Sequence, residues 1–303
     1  MAAQRQALDP TRWHFQHGPI DVILSAEGEA HAVQAAHARA WQSFEGLLQT
    51  LVDELPNLRA PVGRHCPLRS TVARSMWQAA AVHRPAFVTP MVAVAGAVAQ
   101  TLLQAYQRPG ITRAWVNNGG DIALHLSPGA RYRVGWVANI DQLRSNATGE
   151  LTPDGFFDIA HDSPVRGVAT SGWRGRSLSM GIADSVTVLA ASAAQADAAA
   201  TLIANAVNVD APGIVRVPAN TLQDRSDLGH RLVTQAVPTL SPLHISQALS
   251  AGLAHAQGLR AAGHIHACFL SCQGWALSTA SPETSPATTD GPRFAPQALA
   301  LLS

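Results

Sequence analysis

The chain has 303 residues, 47% of them hydrophobic, enough to bury a substantial core in one large domain or two small ones, which excludes wholesale disorder. Charged residues make up 14%, and 21 Lys plus Arg against 20 Asp plus Glu leave a formal net charge of +1 with no block of like charge. That balance gives no electrostatic footprint for a polyanion, so nucleic acid is not expected as a partner.

Met1 to Trp13 carry Gln4, Arg5, Gln6, Asp9 and Arg12 without an apolar stretch, so no secretory signal is predicted and the expected location is cytoplasmic. Ile20, Val22 and Leu24 alternate within an extended segment, Trp13 to Leu24, which predicts a first strand. Val33, Ala36, Ala40, Phe44, Leu47, Leu48, Leu51 and Leu55 then recur at spacings of three and four, predicting an amphipathic helix from Glu29 to Leu55 that Pro56 stops. Residues 56–70 are rich in Pro, Arg and Gly and read as a connector. A short helix around Val72 to Val82 follows and ends at His83-Arg84-Pro85. Thr89-Pro90 suits a helix start, with the threonine hydroxyl as cap and proline at the first helical position. The helix it opens, Met91 to Tyr106, carries Ala93, Ala95, Gly96, Ala97 and Ala99, small side chains that permit close packing. The longest apolar run, near Val88 to Val98, is well short of the ~18 to 20 residues of a spanning helix, so no membrane span is expected.

Strands are predicted at Thr112 to Val116, Ile122 to Leu126, Tyr132 to Val137, Val165 to Ala169 and Ser185 to Leu189, with a polar loop over residues 141–155. Ser192 to Val207 is an alanine-dense helix carrying Asp197, Thr201 and Asn205 at four-residue spacing. Ile214 to Val217, Leu232 to Val237 and Ile265 to Leu270 are further strands, and Leu243 to Ala262 is a helix. The tail from Ser278, rich in Ser, Thr, Pro and Ala, is expected to be disordered. Long helices mixed with short strands and tight turns, without regular βα alternation, predict an α+β fold with mixed or antiparallel sheets, taken as a single domain over residues 1–277.

Several segments could carry chemistry. Asn117-Asn118-Gly119-Gly120-Asp121 joins two strands and reads either as a ligand-facing turn or as an ordinary hairpin. Ala169 to Gly181 gathers Thr170, Ser171, Ser177, Ser179, Arg174 and Arg176 among three glycines. Hydroxyls, backbone N–H groups and a guanidinium fork match an anion such as phosphate, although the stretch is neither a P-loop nor a GxGxxG fingerprint, and an exposed hairpin is the alternative. Asp184 could face a pocket as an acid or base or could cap a turn. Asp197 and Thr201, one helical turn apart, could offer oxygens to magnesium or lie on a solvated face. The thirteen histidines form no HExxH pattern, no GxSxG is present, and Cys66, Cys268 and Cys272 lack zinc-site spacing and suit a reducing compartment.

Four segments, in this order, resemble the ApbE-like superfamily, whose named members are FAD:protein FMN transferases. They are Phe87-Val88-Thr89-Pro90-Met91 with its small-residue helix, Asn117 to Asp121, Val168 to Gly172, and Ser185 to Leu189 leading into Ala196 to Thr201. TPM followed by an alanine-rich helix, TSG followed by GRSLS, and Ser226-Asp227-Leu228-Gly229 bring the chain closer to an uncharacterised branch of that superfamily than to the transferases themselves. The resemblance covers about Trp13 to Gly274. It implies a T-fold-like architecture, with FAD or FMN near Thr89, Asn117, Asn118, Gly119, Gly120 and Asp121 and along Thr170, Ser171 and Gly172; Ser177 and Ser179, which follow in this chain's own sequence, are further candidate contacts. It also implies magnesium held by Asp197, Thr201 and the Ala169 carbonyl. The transferases carry a histidine-containing HxxDPxTG block after their TSG segment, whereas the interval Arg174 to Asp184 here has no histidine or proline, so the resemblance stops short of flavin transfer.

Three functions remain open on this reading. The first is an enzyme whose Arg176 and backbone amides hold an anionic small molecule while Asp121 or Asp184 acts as acid or base. The second is a non-catalytic flavin-binding protein. The third is an assembly or interaction protein on a retired enzyme scaffold, and a homodimer is expected by analogy with the architecture.

Overall fold

The computed structural model describes residues 2–136, 144–145, 151–152, 155–175, 177–279 and 293–294. It is α+β, as expected, and its contacts divide the chain into two compact units. Unit 1 comprises residues 1–132, 159–169 and 189–198, and unit 2 residues 133–158, 170–188 and 199–303.

Unit 1 begins with strands β1 (Gln4–Ala7), β2 (Arg12–His17) and β3 (Ile20–Gly28), continues through helices α1 (Ala30–Asp53), α2 (Leu55–Leu58), α3 (Thr71–Ala81) and α4 (Val94–Leu103), and returns to strands β4 (Ile111–Asn118) and β5 (Asp121–Leu126). β1 to β5 pair in sequence order, each antiparallel to the next. The single strand expected at the N-terminus is instead the hairpin β2–β3. Gly18-Pro19 turns the chain, and Trp13 pairs with Leu24 instead of continuing toward it.

The helix expected to end at Pro56 ends as α1 at Asp53, and Pro56 lies in the first turn of the short α2, a position where its missing N–H costs no bond. Ala36, Ala40, Phe44, Leu47 and Leu51 form the buried stripe of α1. They lie against a strand face that carries Phe15, Val22 and Leu24, all in one core with α4. Phe15, Trp41 and Phe44 stack there with ring centroids 5.1 to 5.8 Å apart.

Thr89 and Pro90 do open a helix, but its first turn, Pro90–Ala93, is 3-10 and the threonine side chain makes no capping bond; the Thr89 carbonyl receives the Val92 N–H instead. α4 follows and is nearly surrounded. A β-carbon on Gly96 would stand 2.2 Å from the Ala193 carbonyl oxygen, so only glycine permits the backbone approach made there.

After β6 (Arg131–Trp136), β7 (Arg144–Ser145) and β8 (Leu151–Thr152) come β9 (Gly155–Ala160), β10 (Gly167–Ser171), β11 (Ser185–Ala190) and α5 (Ala193–Ala206). β10 begins in unit 1, antiparallel to β5 through Gly167 and Val168. Unit 2 adds the hairpin partners β12 (Val215–Pro218) and β13 (Leu232–Ala236), with α6 (Ala219–Leu222) between them, and then α7 (Pro242–Ala261), β14 (Ala267–Cys272), β15 (Trp275–Ser278) and β16 (Arg293–Phe294).

Every residue of β11 is buried, and its two polar members, Ser185 and Thr187, place their hydroxyls 3.0 Å from Ser271 Oγ and 2.9 Å from Thr170 Oγ1. α7 starts at Pro242, and the Ser241 side chain accepts the His244 N–H at 3.3 Å. Its Gly252 face packs on Val207 and Leu270. The expected disordered tail begins, at Ser278, with the last residue of β15, and its remainder falls almost wholly outside the described residues. No helix among the described residues is long and apolar enough to cross a membrane.

Two predictions follow from this packing. Gly96→Ala should cost about 1–3 kcal/mol in urea denaturation, because the obstacle is backbone that cannot move aside. Gly46→Ala, in α1 with open space around the added methyl, should gain about 0.5–1 kcal/mol. Equal effects at the two positions would contradict the packing described.

His37 also bears on stability. Its Nδ1 lies 2.8 Å from the Tyr106 hydroxyl, and burial pushes its pKa from 6.5 down to about 4. Between those values the unfolded chain binds a proton that the folded chain refuses, so His37 costs stability progressively as pH falls through that window. His37→Gln should therefore lose less stability than wild type when denaturation at about pH 7 is compared with about pH 4.5. A variant that follows wild type in parallel would show that His37 does not titrate there.

Candidate functional site

In unit 1 two of the expected residues, Asn118 and Asp197, meet at the first turn of α4. The β4–β5 turn consists of Gly119 at φ 67° and Gly120 at φ 113°, left-handed conformations that disfavour side chains, and the Asn117 side-chain oxygen accepts the Gly120 N–H at 2.8 Å. Open space surrounds the missing side chain of Gly120. Beside the turn, Asn118 and Asp121 face each other in register and both are buried. The Asn118 amide donates to the Ala95 carbonyl at 3.1 Å.

From α5, the Asp197 carboxylate accepts the Gly96 N–H at 2.9 Å and also the Ala95 N–H. Asn118 and Asp197 thus engage the same two residues, one through a carbonyl and one through N–H groups. Asp197 is fully buried, and burial pushes its pKa up to about 7 against the lowering effect of these backbone bonds. Thr89 is buried as well, as is Ala169 in β10.

In unit 2 the hydroxyls and glycines of the Thr170–Gly181 segment divide into several roles. Thr170 Oγ1 lies 2.9 Å from Thr187 Oγ1, tying β10 to β11. Ser179 is buried; its hydroxyl donates to the Asn205 side-chain oxygen at 3.2 Å, which also accepts the Met180 N–H at 2.8 Å. Asn205, the last member of the polar stripe on α5, therefore anchors this loop. A β-carbon on Gly181 would meet the Ala204 carbonyl at 2.0 Å, and one on Gly172 the Asp184 carbonyl at 2.3 Å. These two glycines serve backbone packing, a different use from the open turn at Gly120. Ser171 is half-buried and Ser177 is exposed. Arg176 lies outside the described residues.

The charged centre of this loop is Asp184, and its partners were not apparent in the sequence. The carboxylate is 3% exposed. It receives the Gln273 N–H at 2.5 Å and lies 3.4 Å from Arg174 Nε, and the Trp173 side chain also hydrogen-bonds to it. Burial raises its pKa, opposed first by the Gln273 N–H and then by the charge of Arg174. The Arg174 guanidinium lies over the Trp173 ring at 4.8 Å and keeps a third of its side chain in solvent.

Gln273 and Gly274, with φ 45° and 80°, form the two-residue turn between β14 and β15, the only place where a described non-glycine residue has positive φ. The Gln273 side chain bonds Pro238 and Leu240 and holds the turn in place. Beside it, burial and the Asp184 charge push the Cys272 thiol up to about 12, so it is no nucleophile at neutral pH. Only spatial proximity identifies Gln273, since 89 residues separate it from Asp184. Among the described residues no group of three or more His, Cys, Asp or Glu could hold a metal.

Comparison with known proteins places the chain in a family. A family model described as AbpE bacteria matches residues 4–278. The UPF0280 protein of Methanothermobacter thermautotrophicus is 39% identical over 145 residues, 48% of this chain and 52% of that protein. The UPF0280 protein of Methanosarcina barkeri is 31% identical over 210 residues, 68% of this chain and 77% of its own length. With the first of these and with the UPF0280 protein of Methanothrix thermoacetophila, the chain aligns over about half of the relative's length. Among solved structures, the flavin transferase ApbE from Vibrio cholerae is 14% identical, with 66% of this chain and 85% of that one covered and a TM-score of 0.38. The apo flavinyl transferase ApbE of Pseudomonas stutzeri is 13% identical, with 69% and 84% covered and a TM-score of 0.37.

Proposed function

Because the chain belongs to the AbpE bacteria family, we propose that it is an enzyme acting on a flavin nucleotide or a related anionic small molecule, with magnesium as counter-ion. The observation that carries this reading is Asp197, a buried carboxylate whose pKa burial raises to about 7 and whose partners are backbone N–H groups, with no cationic side chain among the described residues bonded to it. A carboxylate so placed gains from a cation that compensates its charge.

The donor types fit magnesium, because the Asp197 carboxylate and the Ala169 carbonyl, both in unit 1, are hard oxygens. When bound, the ion neutralises phosphate charge and polarises a phosphoryl oxygen. The chain's own residues do the remaining work. Asn118 fixes the α4 start that orients Asp197, and the open Gly119-Gly120 turn lets backbone approach the nucleotide. Within unit 2, half-buried Ser171 and exposed Ser177 offer hydroxyls to an anion. Arg174, partly exposed and stacked on Trp173, takes an anionic oxygen, while Asp184 holds a proton at its carboxylate or releases it.

Titration of FAD into the purified protein with and without magnesium, followed by flavin fluorescence, tests the proposal. Binding should require magnesium, weaken about tenfold in Arg174→Ala, and lose its magnesium dependence in Asp197→Asn. FAD that fails to bind under either condition would overturn it. The absence of histidine and proline between Arg174 and Asp184 favours one second reading, a flavin-binding protein without turnover. FAD bound and recovered unchanged after prolonged incubation with magnesium would select that reading over the enzyme.

A further inference from the structure

A groove of about 300 Å³ between α3 and the end of α4, within unit 1, contains none of the residues considered so far. The two helices turn their apolar faces, including Val72, Met76, Ala97 and Val98, into the core. The groove between their other faces is lined by polar side chains alone. Arg69 and Arg74 stand on one wall with Ser75 and Gln78, and Gln100 and Gln104 stand on the other. Residues 71, 74, 75 and 78 share one face of α3, and residues 100, 101 and 104 share one face of the opposite wall, so the helical repeat itself brings these groups together.

Charge in the groove is one-sided. A solvated helix face normally mixes both signs. Here two guanidiniums line the groove without a carboxylate, and neither forms an ion pair among the described residues. Between Glu54 and Asp121 the sequence has no Asp or Glu at all, while Arg59, Arg64, Arg69, Arg74, Arg84, Arg108 and Arg113 fall within it. Glu54, at the border of this stretch, does not line the groove: its carboxylate accepts the backbone N–H groups of Arg69 and Ser70 at 2.6 and 2.9 Å, and its charge acts on Arg69 without forming an ion pair. It fixes the backbone that carries Arg69 into α3.

From this geometry we infer a second ligand site, for a small phosphate monoester whose phosphate lies between the guanidiniums of Arg69 and Arg74 and whose polar body contacts the glutamine amides. Guanidinium forks suit a phosphate dianion, amides serve hydroxyl groups in either hydrogen-bonding sense, and the volume lies at the small end of ligand pockets. The inference is independent of the flavin reading.

Isothermal titration of the full chain with ribose 5-phosphate, and with inorganic phosphate for comparison, tests it. Both should bind, the sugar phosphate more tightly. Arg69→Ala and Arg74→Ala should each weaken both probes about tenfold, and Gln104→Ala should weaken ribose 5-phosphate alone. Thermal melting of each variant at the wild-type temperature would confirm that these exposed positions leave the fold intact, and Asp184→Asn should leave the titration unchanged. Absence of binding, or affinity that survives removal of both arginines, would overturn the site. Loss of binding in Asp184→Asn would assign the ligand to the other loop and overturn it equally.

Discussion

The first turn of α4 is held from two sides by buried polar side chains. Asn118 binds the carbonyl of Ala95, and Asp197 binds the N–H groups of Ala95 and Gly96. A helix start leaves N–H groups without intrahelical acceptors, and here a side chain from a distant helix supplies the acceptor. The glycine at the same point lets α4 meet the backbone at Ala193. The turn that begins with Asn118, the helix that carries Asp197 and the small-residue helix itself therefore owe their relative placement to one set of bonds. Removing the polar partners would leave orphaned donors in an apolar interior, a heavier loss than the bonds' own net worth.

The elements most legible in the sequence were those whose burial repeats regularly. The α1 stripe and the buried β11 stand out in the sequence because each position repeats the same environment. The N-terminal hairpin looks like one strand in the sequence because Ile20, Val22 and Leu24 alternate without a break after Gly18-Pro19, where the chain turns. β15 escaped because Gln273-Gly274 is not one of the dipeptides that announce a tight hairpin.

Site residues were less legible for a related reason. Glycine looks the same in sequence whether it opens a turn, as at Gly120, or admits another backbone, as at Gly172 and Gly181. Serine likewise looks the same whether exposed, as at Ser177, or spent on Asn205, as at Ser179. Asp184 could be singled out locally, but its partners are Arg174 and a hairpin far along the chain. The acid-free stretch after Glu54 was hidden by averaging, since a net charge near zero says nothing about how the charges are distributed.

The hold of Gln273 on Asp184 has a consequence for how this protein can change over generations. The group that grips the carboxylate is a main-chain N–H, presented by the shape of a hairpin turn. Its identity as glutamine matters only for pinning that turn to residues 238 and 240. Asparagine or glycine adopts the same left-handed conformation with less strain. The residue could thus drift while the carboxylate stayed in place, provided the two-residue length of the turn were kept. An insertion of one residue there would move the N–H away without altering any side chain near the loop, so selection at this point would act on spacing more than on letters.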